Sequence, residues 1–177
     1  EASQILWTDI IHQTLRDQDL GNETEIPAEI IVLYRSILQN VQSSAQIDQG
    51  LVAHLLTLPS EMYLSELAES IDVVAIHNAR YAVKRQLAMA LKEPFQQLYG
   101  CYHLEEPVSI TPAAMAGRAL RNLALVYLVE TGDPLWIENC YQQFLSANNM
   151  TDTLAALACL VNSGAACAES LKQQALV

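Results

Sequence analysis

From Ile5 onward the apolar residues return every three or four positions, and nowhere do they alternate with period two between turn residues. That single period predicts an all-α chain. The segments between the apolar stripes are short, which makes successive helices antiparallel neighbours, while the helices differ in length too much for a strict repeat. The expected architecture is an irregular stack of antiparallel helix pairs, solenoid-like in the manner of armadillo or HEAT superhelices, rather than a closed four-helix bundle.

Helix boundaries follow from caps and prolines. Ile5, Leu6, Ile10, Ile11 and Leu15 mark a first helix over residues 3–17, ended by Gly21-Asn22. Pro27 suits a first helical position and opens a second stripe at Ile30, Ile31, Tyr34, Ile37 and Leu38. After a polar loop at 42–45, a third stripe of Ile47, Leu51, His54, Leu55 and Leu58 stops at Pro59, and Ser60 caps a short helix through Ala68. Asp72 caps the longest run, with Val73, Ile76, Tyr81, Val83, Leu87, Ala90 and Leu91 as its apolar positions, and Pro94 breaks or kinks it before Phe95, Leu98 and Tyr102. Residues 104–110 read as a loop. Thr111-Pro112 and Asp133-Pro134 each place a cap before a proline, opening helices to about Glu130 and Ala147. Asn149 caps a helix to Asn162, with Asp152 in its first turn, and a last helix spans 165–176.

With 177 residues, 51% of them hydrophobic, the chain can bury roughly 70% of its unfolded surface. Nine basic against twenty acidic residues give a net charge of −11, which argues against a nucleic-acid partner. No run approaches the length of a membrane span and no signal-peptide pattern is visible, so no membrane partner is expected. Cys101, Cys140, Cys159 and Cys167 lack short paired spacing and read as reduced, buried thiols of a cytoplasmic protein. The start at Glu1 and the stop at Val177 inside a helical pattern read as the ends of a piece of a longer protein.

Candidate chemistry is sparse, and no catalytic, cofactor-binding or metal-binding residue is assigned. Cys101 and His103, with His77 roughly seven turns upstream, are metal-ligand types, but a structural zinc site needs two paired clusters. The bland reading is a helix-end cysteine and a surface histidine. His12, His54, His77 and His103 have no partner histidine at the spacing a zinc hydrolase helix uses. Arg118, Arg121 and Asn122 share one side of a helix and could grip a carboxylate or phosphate; the simpler reading is a buried brace tying C-terminal carbonyls of neighbouring helices. Asn148, Asn149, Thr151 and Asp152 read as a turn and cap. Glu23, Glu25, Glu61, Glu66 and Glu69 read as solvated faces.

Four segments in register carry a resemblance: Leu58-Pro-Ser-Glu61; Ile71-Asp72 with Ala75-Ile-His-x-Ala-Arg80; Arg118-Ala-Leu-Arg-Asn122; and Asn148-Asn-Met-Thr-Asp152 with Ala155-Ala-Leu157. In order and spacing, over nearly the whole chain, they resemble the C-terminal helical domain of the bacterial aminopeptidase N family. That family consists of zinc-dependent alanyl aminopeptidases. The resemblance implies that zinc belongs to the parent enzyme, that the zinc motif, its distant Glu, the Gly-Ala-Met-Glu-Asn segment and the catalytic Tyr lie upstream, and that channel-lining arginines lie beyond Val177.

On this resemblance, residues 1–177 are part of one C-terminal α-helical domain whose partner is the catalytic domain of the same polypeptide. They wall the cavity that admits peptide substrates, are inactive alone and hold no cofactor. Some of their acidic residues are expected to face the cavity and attract the substrate ammonium. The sequence departs from the family pattern at Pro94, where that pattern runs as a more regular helix. The competing class is a stand-alone helical scaffold for protein–protein contact. It should carry polar end helices, whereas Ile10, Ile11 and Leu15 at one end, and Ala168, Leu171 and Leu176 at the other, read as apolar faces seeking a neighbour, predicting exposed patches or self-association.

Overall fold

The computed structural model describes residues 2–22, 24–43, 47–68, 71–102 and 109–163. Among them every regular element is helical: α1 (Ala2–Asp19), α2 (Ala28–Ser43), α3 (Gln49–Leu56), α4 (Glu61–Leu67), α5 (Val73–Ala90), α6 (Lys92–Cys101), α7 (Pro112–Glu130), α8 (Pro134–Ser146) and α9 (Met150–Asn162). Of the loop anticipated at 42–45, residues 42 and 43 belong to α2 and the rest lies outside the described residues, as do most of that at 104–110, the last helix at 165–176 with Ala168, Leu171 and Leu176, and Glu23, Glu69, His103 and Cys167.

Ser60, Asp72, Thr111, Asp133 and Asn149 cap helices as the sequence placed them, and Asp48, which the sequence reading did not assign, caps α3. Each accepts a hydrogen bond from a backbone N–H in the first turn of the helix that follows, satisfying a donor that has no partner within the helix. Pro27 sits one place earlier than anticipated: it precedes α2, and its carbonyl accepts from the amides of Ile30 and Ile31.

α7 is the centre of the stack. It is buried around most of its circumference, at Leu120, Ala124, Leu125, Tyr127 and Leu128 among others, and packs against α3, α5, α6, α8 and α9. Outside α7 the pairing is mixed: α8 packs on its successor α9 and α4 on its successor α5, whereas the main contacts of α1 are with α5 and those of α2 with α6.

Trp7 and Ile11 are fully buried in the common core, with Ile10 and Leu15 packed half-buried against it. The apolar face of the first helix is therefore covered within the chain, and the proposed contrast with a self-contained scaffold does not hold at this end. The third stripe is rotated from its expected phase: Val52, Ala53 and Leu56 face inward, and Leu51 and His54 outward. Val73 and Tyr81 are likewise exposed, leaving Ile76, Ala79, Val83 and Leu87 as the inner face of α5.

The break attributed to Pro94 falls at Leu91, three residues earlier. A proline nitrogen has no hydrogen to offer the carbonyl four residues back, and its ring crowds that carbonyl. The affected group is the Ala90 carbonyl, and Arg35 of α2 donates to it at 2.6 Å, while the amide of Phe95 resumes the helical pattern on Leu91. Pro94 thus occupies the first turn of α6, where its missing donor costs little.

The C-terminal end of α3 shows the same economy. Its last carbonyls have no helical donors, and side chains from three other helices supply them: Trp7 and Tyr34 donate to Leu55 O at 3.4 and 3.2 Å, and buried Tyr127 donates to Leu56 O at 2.7 Å. Gln4 reaches Thr57 O at 2.9 Å and Arg80 reaches Pro59 O at 2.7 Å. Burial pushes the Tyr34 and Tyr127 hydroxyls above the usual phenol range, so both remain donors.

Candidate functional site

The two polar signatures meet in one buried network. Asn122 on α7 donates to Asp152 Oδ1 at 2.7 Å, and Asp152 is fully buried. Asn149 donates through its side chain to Asp152 Oδ2 at 2.8 Å and accepts from the Asp152 amide at 3.0 Å. Gln143 of α8 donates to Asn122 Oδ1 at 2.8 Å and to Asp152 O at 3.3 Å. Its own carbonyl accepts from the Tyr99 hydroxyl at 3.1 Å, and Arg121 donates to that hydroxyl, also at 3.1 Å. The Arg121 guanidinium carbon stands 4.7 Å from the centroid of the Tyr99 ring, within cation–π range.

Four helices and one cap are thereby joined by hydrogen bonds, with Arg121 Nη1 left buried without a partner. Burial raises the Tyr99 hydroxyl above its usual range, Asp152 and Cys140 adding to the effect and Arg121 opposing it. The brace expected from Arg121 and Asn122 exists, but its acceptors are not helix-end carbonyls; Arg35, Arg80 and the aromatic hydroxyls serve those. Arg118 turns to the chain entering its own helix and donates to Ser109 O at 2.6 Å. Asn149 is the helix cap that the sequence assigned it to be.

Of the candidate metal ligands, His77 and Cys101 fall among the described residues. His77 on α5 pairs with Glu61 of α4 at 2.9 Å and stacks on Tyr81, while Cys101 ends α6 in an exposed position. Among the described residues no group of three His, Cys, Asp or Glu side chains is placed to hold a metal ion. Of the acidic residues read as solvated, Glu25 and Glu66 are exposed, whereas Glu61 is half-buried in its pair with His77.

Two clefts open on α5. The larger, about 830 Å³, lies between the C-terminal part of α1, the segment before α2 and α5. There Gln86 clamps the connecting segment, donating to Thr24 O at 2.6 Å and accepting from the Ile26 amide at 3.0 Å. The smaller, about 420 Å³, is bounded by Tyr81, Lys84, Glu130, Gly132, Cys159 and Asn162. Its wall carries the Lys84–Glu130 ion pair at 2.6 Å, with Glu130 nearly buried. A hydrogen bond to Glu130 raises the Tyr81 hydroxyl above its usual value, helped by desolvation.

Tyr99, Gln143, Lys84 and Glu130 were not singled out by the sequence. For Gln143 a signal existed: it continues the inward positions Trp136 and Cys140 of α8, and an amide on an inward face requires a buried partner.

Residues 1–176 match the family described as a domain of unknown function (DUF3458_C) with ARM repeats. The chain belongs to this family. ARM-repeat character agrees with the stacked, all-helical architecture. Over 174 residues the chain is 32% identical to aminopeptidase N of Escherichia coli, covering 98% of this chain and 19% of that protein. Over 171 residues it is 32% identical to aminopeptidase N of Haemophilus influenzae, covering 97% of this chain and 19% of that protein. The solved structure of Legionella pneumophila aminopeptidase A in complex with aspartic acid matches with a TM-score of 0.71 at 25% identity, across 91% of this chain and 19% of that one. This member of the ARM-repeat family is homologous to the C-terminal region of bacterial aminopeptidase N, and spans about a fifth of the length of the curated relatives it matches.

Proposed function

We propose that residues 1–177 are part of the non-catalytic helical domain of a zinc-dependent aminopeptidase that removes N-terminal residues from peptides. Zinc and the reacting groups belong to another part of the polypeptide, the catalytic domain, which is this segment's partner. The helical stack walls the internal substrate cavity, admitting small peptides and excluding folded chains. The observation that carries this reading is the match of almost the entire chain to one fifth of aminopeptidase N. The arrangement of the polar signatures supports it: Arg118, Arg121, Asn122 and Asp152 all hydrogen-bond to groups of the fold itself. The same reading puts the protein in the cytoplasm, as the lack of short paired spacing among the cysteines of the sequence suggests.

Hydrolysis of alanyl p-nitroanilide, measured with zinc on this chain and on the full polypeptide side by side, tests the division of labour. Activity confined to the full polypeptide is expected; activity of residues 1–177 alone overturns it. For the cavity role, neutralising exposed acids such as Glu25 and Glu66 in the full enzyme separates those that face substrate. Substitution of a cavity-facing acid raises KM at low salt with kcat unchanged, and an unaltered KM throughout removes the electrostatic part of the proposal.

A further inference from the structure

The larger cleft on α5 has no role in anything described so far, and one of its walls is held in place from within the chain. Thr24 donates through its hydroxyl to Asp17 of α1 at 2.7 Å, and the Asn22 amide donates to the Asp17 carbonyl at 2.9 Å. Gln86 of α5 bonds Thr24 O at 2.6 Å and the Ile26 amide at 3.0 Å. The segment between α1 and α2 is thus pinned from two sides, and the cleft of about 830 Å³ beside it is preformed, at a size typical of small-molecule sites.

The lining is divided. Ile26, Ile31, Ala82 and Met89 give it an apolar surface, and Glu25 and Arg85 bring opposite charges to the same cleft. Both charged residues are exposed, and none of the ion pairs among the described residues includes either. A guanidinium carries five donors, so the contact of Arg85 with the Tyr81 hydroxyl leaves others for a ligand. Two opposite charges that do not neutralise each other offer an acceptor to an ammonium and a fork to a carboxylate. Glu25 disfavours a polyanion here, and Arg85 a polycation.

We propose that this cleft binds short apolar peptides by both ends, the free ammonium on Glu25, the carboxylate on Arg85, and the side chains against Ile26, Ile31 and Met89. The inference rests on the function proposed above only for the choice of peptides among zwitterions with an apolar body.

The test is photo-cross-linking on the full polypeptide carrying these residues. The probe is a dipeptide of diazirine-bearing leucine with an N-methylated peptide bond, which keeps both charged ends and resists hydrolysis; its N-acetylated and C-amidated forms are the comparison. Peptide mapping after irradiation is expected to find adducts of the zwitterion within residues 24–31 or 82–90. Either blocked form is expected to label about tenfold less, the effect of losing one charge-assisted hydrogen bond. Glu25→Gln is expected to erase the preference over the acetylated form while keeping that over the amide, and Arg85→Gln to do the converse. The three probes on the unsubstituted protein carry the test even where a variant folds poorly. The proposal is overturned by the absence of adducts from both segments, by equal labelling from the three probes, or by preferences that survive the substitutions. Labelling does not depend on turnover, so a polypeptide that fails the alanyl p-nitroanilide assay can still pass this one, and the reverse.

Discussion

Asn122 on α7 donates a 2.7 Å hydrogen bond to the carboxylate of Asp152 on α9, and the carboxylate's other oxygen is held by Asn149 in the cap of that same helix. One buried side chain therefore anchors a helix start and a helix crossing together. Asp152→Ala removes the acceptor of both amide groups and leaves the Asn122 donor buried without a partner, a loss of about 3 kcal/mol. Urea unfolding of Asp152→Ala, Asn122→Ala and the double variant measures this. The double variant is expected to lose less than the two single losses combined, because the second change removes a group that the first had orphaned. Strict additivity refutes the coupling.

A second double-variant cycle addresses Arg35 and Pro94. Arg35→Ala leaves the Ala90 carbonyl with neither a helical nor a side-chain donor and is expected to cost about 2 kcal/mol. In a Pro94→Ala background the new amide at position 94 can reach that carbonyl, so the cost of Arg35→Ala shrinks to a fraction of its value. Equal costs in both backgrounds contradict the account given for the break at Leu91.

Gly117 lies inside α7, where alanine ordinarily stabilises by about 1 kcal/mol. A Cβ there would stand 2.9 Å from Cδ1 and 3.1 Å from Cε1 of the Tyr102 ring. The clash outweighs the propensity gain, and Gly117→Ala is expected to destabilise by about 1 kcal/mol net. With Tyr102→Ala already in place the same change becomes stabilising. Thermal unfolding of the four proteins reads the change of sign directly.

Asp133, which caps α8, is held below its usual value of 3.8 by a hydrogen bond from Lys92, and further by the Leu135 amide. A carboxylate whose folded pKa is depressed contributes stability above its unfolded pKa and loses it as the pH falls through the folded value. Asp133→Asn is thus expected to be less stable than the parent chain at neutral pH. The gap should close as the pH is taken below 3.8. Melting temperatures of both proteins across that range decide it; a gap that stays constant with pH dissociates the charge from the effect.

Much of the fold was legible because caps and prolines act locally. Thr111-Pro112, Asp133-Pro134 and Asn149 set the starts of three helices through contacts within four residues, and those starts are the observed ones. The phase of a short apolar run is a weaker signal. In the eight residues of α3 two faces are apolar, and only the neighbouring helices decide that Val52 rather than Leu51 points inward. The partners of buried polar groups were less accessible still. Arg121 and Asn122 could be read as buried, but their acceptors Tyr99 and Asp152 come from other helices, and no local rule connects them. The Lys84–Glu130 pair joins α5 to α7 and is invisible for the same reason.

The docking of α1 on α5 has a consequence for how the polypeptide emerges during synthesis. α1 is made before α5, and the helix it mainly packs on is completed only after α2, α3 and α4 have followed. Until then α1 lacks its main contact within this stack, and the full burial of its inner face waits for a distant helix. The ribosome thus releases this stack in an order different from the one in which it closes.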